Sequence, residues 1–382
     1  TVVDSEGMEY VDVCASFGSL ALGHNHPEVK EAMVSYLQSD GLMQGMGDVY
    51  ASVAKGELTA DLVDFLPEKL CKVAYGLSGS DAVELACKTA MLASKKPGIL
   101  AFKESYHGLH LGCMVITGLE RFCKPFPRQW QQHPGVYHIS FRSSVAEVVE
   151  VIRASQSSLA PIGQMIIEPI IGRFGVYPLA ENYLIELYEA LKDLGCVLIY
   201  DEVYTGFGRA GYATFAHHFP ADVICLGKAL GGGMAISCVA ARAKIMDCWP
   251  VNRGEALHTG TFFGHPLSCT VARTTLQILL REQLIERSAQ LGKEVLDWLQ
   301  SHIIAPSLAH GCRGKGLFIA VDTGRKFGGV ALAAYLKTAG VIAVPSGCYG
   351  EHLAITPALN IPRSLLWQAL QKMREGLLDF SK

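Results

Sequence analysis

A lysine and an aspartate each follow a short apolar run, and they lie 27 residues apart. Asp201 comes directly after Val-Leu-Ile-Tyr, and Lys228 comes after Val-Ile-Cys-Leu-Gly. Lysine is rarely removed from water unless a function compensates for its burial. A desolvated lysine loses its proton more easily, and the neutral amine is a nucleophile that forms Schiff bases with carbonyl compounds. Taken singly, a lysine like Lys228 is more often a solvated loop residue, and an aspartate like Asp201 is more often a turn or capping residue. The surrounding sequence therefore decides between a structural and a catalytic role for the two residues.

The pair is typical of a pyridoxal 5'-phosphate (PLP) site. In open α/β sheets, ligands lie beyond the carboxyl ends of the strands, where both residues are expected. Lys228 would form a Schiff base with the cofactor aldehyde. Asp201 would pair with the pyridine nitrogen and keep it protonated, which makes the ring an electron sink. Other polar residues follow strand-like runs: Glu168, Glu202 and Tyr106-His107-Gly108.

The cofactor phosphate needs a binding element of its own, and Ser78-Gly79-Ser80-Asp81 supplies a candidate. It opens the helical pattern AVELACKTAMLA, which Ser78 or Ser80 can cap, and Gly79 lets the backbone approach an anion. Free N–H groups of a first helical turn bind phosphate well, although many helices begin this way. Three glycines, Gly231 to Gly233, would keep side chains away from the cofactor.

Short buried strands and amphipathic helices alternate through the middle of the chain. Each predicted strand is almost continuously apolar, as expected when helices cover both faces of a sheet. Between the strands lie helical patterns such as 181–194. This arrangement predicts an α/β fold with a mainly parallel sheet. The predicted strands are 98–102, 164–167, 197–200, 223–226 and 235–240.

The two ends of the chain have a different pattern and predict a smaller α+β domain. Residues 270–302 are expected to form one long helix or two in tandem, and 316–321 a strand. A terminal helix is expected from about 362, where Pro362 begins it. We therefore predict a large PLP-binding domain over 40–275, and a small domain formed by 1–39 and 276–382.

Composition excludes several classes of function. The 382 residues are 50% hydrophobic, and 33 basic and 36 acidic residues are mixed along the chain, with a net charge of −3. This mixed charge argues against nucleic acid and anionic membranes as partners, and no apolar run free of charges and turn residues is long enough to span a bilayer. The 12 cysteines form no C-x-x-C pair and fit reduced thiols in a cytoplasmic protein. His24, His26 and His217-His218 lack partners at metal-ligand spacing, so no metal is expected.

Six segments in order then resemble one enzyme family: SGSDAVELACKTA, YHG, EPIIGRFGV, DEVYTGFGRAG, CLGKALGGGM and TGTFFGHPLSC. They are similar to the motifs of the class III (ornithine/ω-amino acid type) PLP-dependent aminotransferases, and the resemblance covers nearly the whole chain. It implies the type I, aspartate-aminotransferase-like fold. It also implies transamination, in which an amino group moves from an amino acid or amine to a keto acid, aldehyde or ketone.

The resemblance also implies a role for each matching residue. Lys228 would be the Schiff-base lysine and proton shuttle, and Asp201 would bind the ring nitrogen. Val203 and Tyr106 would pack on opposite faces of the ring, while Gly79 and Ser80 hold the phosphate. Thr261 would reach the phosphate of a neighbouring subunit, which makes the active unit a homodimer with shared sites. Glu168, Glu202 and His107 are expected just behind the ring, and Glu202 is also a candidate partner for Arg209.

One departure from the family bears on the substrate. Many members carry an arginine shortly before a Pro-Pro-Leu segment near the C terminus, and it binds a substrate carboxylate. Here the segment is HLAITPALNI, and Ala354 stands at the arginine position. We expect a substrate that is bulkier, less acidic or recognised elsewhere, for example by Arg128, Arg142 or Arg173. An amine, an ω-amino acid or an intermediate of specialised metabolism would fit.

Other functions stay open at the level of sequence. The same motifs occur in PLP-dependent racemases, decarboxylases and an aminomutase. Because the chain begins with Thr1 rather than methionine, it is also compatible with a domain of a larger synthase that acts on a carrier-bound substrate. A non-catalytic binding protein is disfavoured by the complete pair of Asp201 and Lys228. A nicotinamide-dependent dehydrogenase is disfavoured because no G-x-G-x-x-G follows an early strand.

Overall fold

A seven-stranded sheet forms the centre of the computed structural model, which describes residues 1–45, 50–127, 133–251 and 256–380. Strands are numbered along the chain, and every residue of the five inner strands is buried, because helices cover both faces. In spatial order the strands are β3 (Lys72–Gly76), β11 (Ser237–Ala241), β10 (Val223–Leu226), β9 (Val197–Asp201), β6 (Ile162–Ile167), β4 (Gly98–Phe102) and β5 (Val136–Ile139).

The sheet is mainly parallel, as the sequence predicts. Strands β10, β9, β6, β4 and β5 pair in parallel, whereas β11 runs antiparallel to both of its neighbours. The carboxyl ends of β4, β6, β9 and β10 therefore meet at one edge. That edge is where polar residues from the following loops converge.

Eleven helices surround the sheets within the described part of the chain. The tandem helices predicted within 270–302 and the helix predicted at 181–194 are both present. The helices are α1 (Pro27–Gln38), α2 (Val53–Phe65), α3 (Gly79–Ser94), α4 (Leu111–Ile116), α5 (Val145–Ser155), α6 (Glu181–Asp193), α7 (Ala243–Met246), α8 (Pro266–Arg281), α9 (Leu284–Leu299), α10 (Gly328–Thr338) and α11 (Arg363–Asp379).

Three smaller sheets combine the beginning and the end of the chain with one central hairpin. The first is β1 (Val2–Val3), β2 (Glu9–Asp12) and β14 (Val341–Ile342); the second is β12 (Gly311–Lys315), β13 (Phe318–Asp322), β16 (His352–Ile355) and β15 (Val344–Ser346); the third is the hairpin β7 (Ile170–Ile171) and β8 (Tyr177–Pro178). The division into domains at 39/40 and 275/276 stays a prediction.

Helix α3 is placed tightly against the central sheet because the face it buries carries small side chains. Ala82, Ala86 and Ala90 are buried there against residues of β6, β9, β10 and β11. Ser78 caps the helix, and its Oγ accepts a hydrogen bond from the N–H of Asp81 at 3.2 Å. The helix therefore begins at a fixed point beside the sheet edge. None of the described helices has the length and apolar character that crossing a bilayer requires.

Candidate active site

A cavity of about 600 Å³ opens at the carboxyl edge of the central sheet. The register of the parallel strands β9 and β10 pairs Cys225 with Asp201, so Asp201 and the lysine that follows β10 reach the same cavity. Loops after β4 and β6 add further side chains. Of the residues predicted from sequence, the cavity is lined by Gly79, Ser80, Tyr106, His107, Glu168, Asp201, Val203 and Lys228.

Lys228 begins a short 3-10 turn, Lys228–Gly231, directly after β10. Its φ of 41° lies in the left-handed region, which is strained for a residue other than glycine. Burial lowers the pKa of its amine, and the negative charges of Asp201 and Glu168 oppose that effect only in part. The Nζ atom lies 4.4 Å from the ring centroid of Tyr204. Burial thus shifts this amine toward its neutral, nucleophilic form.

Asp201 is held at both carboxylate oxygens. Oδ1 accepts a hydrogen bond from the N–H of Val203 at 3.2 Å, and Oδ2 lies 2.8 Å from Nδ1 of His107. The backbone of His107 is itself fixed, since its main-chain N–H donates to Oγ1 of Thr117 at 2.9 Å. The loop after β4 therefore orients the carboxylate at the end of β9. A fixed anion of this kind suits a cationic ring nitrogen.

Glu168 links two loops that line the cavity. Its Oε1 accepts from the N–H of Tyr106 at 2.9 Å, and its Oε2 accepts from the N–H of Gly172 at 3.1 Å. Burial raises the pKa of this carboxyl to about 7, although the charge of His107 and the two N–H donors act in the opposite direction. Glu168 therefore positions the ring of Tyr106 and the turn that carries Arg173.

The N terminus of α3 fits a phosphate. The N–H groups of Gly79 and Ser80, at the first two helical positions, have no acceptor within the helix. A Cβ built on Gly79 would lie 2.8 Å from Cγ1 of Val203, so any side chain there would collide with the cavity wall. Together with the buried amine of Lys228 and the fixed carboxylate of Asp201, this helix start gives the residues that PLP requires: an amine for the aldehyde, an anion for the ring nitrogen and N–H donors for the phosphate.

Glu202 and Arg209 make their hydrogen bonds outside the cavity lining. Glu202 lies outside the cavity lining and accepts from the N–H groups of Phe215 at 2.8 Å and Ala216 at 3.2 Å, and its expected position behind the ring stays a prediction. The candidate pair of Glu202 and Arg209 is not formed, because Arg209 donates instead to the carbonyls of Leu317 at 3.0 Å and Pro357 at 2.6 Å.

Thr261 is exposed in the single chain and lies outside the cavity lining. Ala354 lies in β16, buried between Ala320 and Val344 of the adjacent strands, and does not line the cavity either.

The three arginines considered for carboxylate binding differ in position. Arg173 lines the cavity, whereas Arg142 is exposed outside it and lies over the ring of Phe141 at 5.3 Å. Arg128 lies outside the described residues. Arg173 is therefore the one of the three that the structure places beside Lys228.

Two aromatic residues in the cavity wall were missed by sequence reasoning. Tyr204 stands within the motif DEVYTGFGR, so its position next to Val203 was a usable signal. Phe17 comes from the turn Ala15–Gly18, where Ala15, Ser16 and Phe17 have φ of 46°, 52° and 58°. No glycine occupies those three positions, so the residue types did not indicate a left-handed turn.

Potential metal ligands converge at one point within the described ranges. His26, Glu28 and Glu282 lie near one another, away from the cavity, and Glu28 already forms an ion pair with Arg281. His24 also has a carboxylate neighbour, since its Nε2 lies 2.9 Å from Oδ2 of Asp12. All twelve cysteines are free thiols.

The fold and the cavity together define a PLP-dependent transferase with the type I fold. A model of the family described as aminotransferase class-III matches residues 1–377. The chain belongs to the class III aminotransferases, which use PLP, and it is a transaminase rather than a dehydrogenase or an unrelated binding protein.

Several characterised proteins are similar to the chain over its whole length. A putrescine aminotransferase of Pectobacterium atrosepticum is 30% identical over 384 aligned residues, covering 99% of this chain and 80% of that protein. A thermostable (S)-enantioselective omega-transaminase from Thermomicrobium roseum is 26% identical, with a TM-score of 0.88 over 99% of this chain and 90% of that one. The ornithine aminotransferase of Toxoplasma gondii ME49 is 25% identical, with a TM-score of 0.87 over 100% of this chain and 89% of that one.

Proposed function

We propose that the chain transfers an amino group from a primary amine or an ω-amino acid to a 2-oxo acid, with Lys228 as the residue that holds PLP and moves the proton. The observation that carries this proposal is the buried amine of Lys228, whose pKa is lowered by burial, in one cavity with the fixed carboxylate of Asp201. When bound, PLP supplies an aldehyde for the amine of the donor and a ring that stabilises negative charge on the donor carbon.

Groups of the protein would protonate, orient and enclose the cofactor ring. Asp201, fixed by Val203 and His107, would hold the proton on the ring nitrogen and so maintain the ring as an electron acceptor. The first N–H groups of α3 would bind the phosphate and fix the orientation of the ring. Val203 and Tyr106 line the cavity and would pack on the two faces of the PLP ring, which excludes water from the ring.

Lys228 would serve as the base and then as the acid. Its free Nζ would take the proton from the carbon that bears the donor nitrogen and, once protonated, would deliver that proton to the cofactor carbon that carried the aldehyde. In the second half-reaction it would move a proton in the opposite direction. A lowered pKa keeps Nζ neutral more often at physiological pH, which is the state that accepts a proton.

The choice of an amine or ω-amino acid as donor has two supports. The position that carries a carboxylate-binding arginine in many relatives holds Ala354, buried within β16. One relative, 30% identical, is named for a diamine, putrescine. A donor that presents an amine without an adjacent carboxylate needs no arginine at that position. Strong and exclusive use of ornithine or acetylornithine would contradict this part of the proposal.

We also propose that the active unit is a cytoplasmic homodimer in which Thr261 of one subunit contributes to the phosphate site of the other. Thr261 is exposed and lies outside its own chain's cavity, which leaves it available to a second copy. The twelve free thiols fit a reducing compartment. A Thr261→Val variant should keep the dimer but bind PLP more weakly, and sedimentation with a PLP titration measures both properties.

A donor panel tests the proposed function. Purified protein with PLP is supplied with putrescine, 4-aminobutyrate, ornithine or acetylornithine, and with pyruvate or 2-oxoglutarate as acceptor. We expect turnover with putrescine or 4-aminobutyrate, and its loss in Lys228→Ala. Lys192→Ala is the matched control, because Lys192 is exposed and pairs with Glu189 on α6. Racemisation of a donor without any need for a keto acid would contradict the proposal.

A further inference from the structure

The guanidinium of Arg173 is a cation in the wall of the cavity, and among the residues that the structure describes it has no counter-ion. Arg173 lies in the turn between β7 and β8, and it lines the same cavity as Lys228. Across the described ranges, its side chain has no hydrogen-bond acceptor and no carboxylate within ion-pair distance. Guanidinium carries five N–H donors in a rigid fork that matches a carboxylate. An unpaired fork in a cavity is expected to bind an anion.

Two other arginines near this site already donate hydrogen bonds to backbone carbonyls. Arg209 donates to two backbone carbonyls in the core, and Arg121 donates to the carbonyls of Gly347 and Cys348. Neither therefore offers a complete fork to a ligand. Arg173 differs because its donors stay available on the cavity side.

The backbone around Arg173 is held in place. The N–H of Gly347 donates to the carbonyl of Arg173 at 3.0 Å, and Glu168 accepts from the N–H of Gly172, the preceding residue. The same glutamate accepts from the N–H of Tyr106. One buried carboxylate thus fixes the backbone next to Arg173 and the backbone of Tyr106 relative to each other, which favours a preorganised binding site.

Aromatic rings surround the guanidinium. The Cζ atom of Arg173 lies 5.3 Å from the ring centroid of Phe17, 5.9 Å from that of Tyr106 and 6.0 Å from that of Phe122. These rings hold the cation by cation–π contact and displace water around it. Because a less hydrated cation binds a carboxylate more strongly, the rings increase the attraction for an acid. The rings also offer an apolar surface to a donor that lacks a carboxylate.

We propose that Arg173 binds the carboxylate of the 2-oxo acid acceptor and of ω-amino acid donors, in place of an arginine at position 354. This inference rests on the proposed function, because it assigns the acid-recognising group of that same site. Amine donors without a carboxylate then use the rings of Phe17 and Tyr106. The two substrates would share one wall of the cavity, and Arg173 would distinguish acids from neutral compounds.

Two three-carbon carbonyl acceptors, one with a carboxylate and one without, test the proposal. With putrescine as donor and PLP present, KM and kcat are measured for pyruvate and for propanal, in wild type, Arg173→Leu, Arg173→Lys and Arg142→Leu. In Arg173→Leu we expect kcat/KM for pyruvate to fall about 10- to 100-fold, the effect of losing a charged hydrogen-bonded pair, mainly through KM. The values for propanal should stay within about twofold. Arg173→Lys should recover part of the loss, and Arg142→Leu should match wild type.

Binding without turnover gives a second readout. Propionate, which is unreactive, is titrated into each PLP-loaded protein by calorimetry, and its Kd should rise in Arg173→Leu by the same factor as KM for pyruvate. Should Arg173→Leu fail to fold, Arg173→Gln provides the same comparison with a polar side chain.

An equal loss with pyruvate and propanal, or no loss with either, would overturn the role of Arg173. Failure of the proposed function is distinguishable, because it would show in the wild type as absent amino transfer from all donors.

Discussion

Oδ2 of Asp201 lies 2.8 Å from Nδ1 of His107, and both side chains are buried. An ionised carboxylate can only accept, so Nδ1 carries the hydrogen and donates it. His107 Nε2 has no partner within the described residues, so Asp201 is the polar group that fixes this ring. His107 consequently acts as a positioning residue for the carboxylate that we assign to the cofactor ring.

Removing the donor from His107 should weaken this arrangement. His107→Phe leaves Oδ2 of Asp201 without its buried donor, and we expect kcat to fall about 10- to 100-fold, since a hydrogen bond to a charged group is lost. Asp201→Asn, which removes the charge itself, should cost more than His107→Phe. Steady-state kinetics at saturating PLP measures both. A wild-type rate in Asp201→Asn would contradict the assigned role.

The start of α3 should tolerate no side chain at Gly79. Gly79→Ala would place a Cβ 2.8 Å from Cγ1 of Val203, so the helix start or the cavity wall must shift, and PLP should bind at least about tenfold more weakly. Gly56→Ala is the matched control in helix α2, because its Cβ would meet no atom within 4 Å. That control should gain up to about 1 kcal/mol of stability and keep its PLP affinity. Equal PLP affinity in the two variants would contradict the phosphate site.

Glu202 should make the protein less stable as pH rises. Burial raises the pKa of its carboxyl to about 7, so the folded state binds the proton more tightly than the unfolded state does. This contribution to stability is complete below the unfolded pKa near 4.5 and is lost as pH rises to about 7. The loss is about 3 kcal/mol. Glu168, with a similarly raised pKa, acts in the same direction.

Urea unfolding at pH 5 and pH 8 measures this effect. The stability difference between the two pH values should shrink by roughly half in Glu202→Gln, because Glu168 remains. The exposed Glu150→Gln is the control and should keep the wild-type difference. An unchanged pH dependence in Glu202→Gln would show that the Glu202 pKa is not raised.

The amine of Lys228 should titrate at a lower pH than an exposed lysine in the protein stripped of PLP. Burial lowers the pKa of Lys228, whereas a hydrogen bond to Glu189 raises that of Lys192. Labelling with acetic anhydride across a pH series, read by peptide mass spectrometry, gives both midpoints. The pH midpoints of labelling are compared rather than the absolute rates, because the rate also depends on how easily the reagent reaches each lysine. Coinciding midpoints would contradict a desolvated Lys228.

The apolar pattern of the sequence predicted the central sheet well. Strands at 98–102 and 223–226 match the structure, and the helix predicted at 181–194 spans Glu181–Asp193. The segment predicted at 235–240 begins at Ser237 and runs antiparallel, a direction that an apolar run does not encode. Buried strands are predictable because continuous apolarity follows from burial on both faces.

The cavity was predictable where its residues follow strands and not where they come from loops. Asp201, Lys228, Glu168 and His107 follow strand ends, and the structure brings them to one cavity. Phe17 reaches the cavity through a left-handed turn that no local sequence signal announced. Such loop contacts depend on tertiary packing, which the spacing of residues in the chain does not reveal.

Borohydride reduction of the PLP-loaded protein, followed by peptide mapping, tests the central assignment most directly. Reduction converts a Schiff base to a stable bond, so the modified residue can be located by mass spectrometry. We predict one phosphopyridoxyl group per chain, on the peptide that contains Lys228, and none in Lys228→Ala. A phosphopyridoxyl group on a different lysine, or full turnover in Lys228→Ala, would contradict the account.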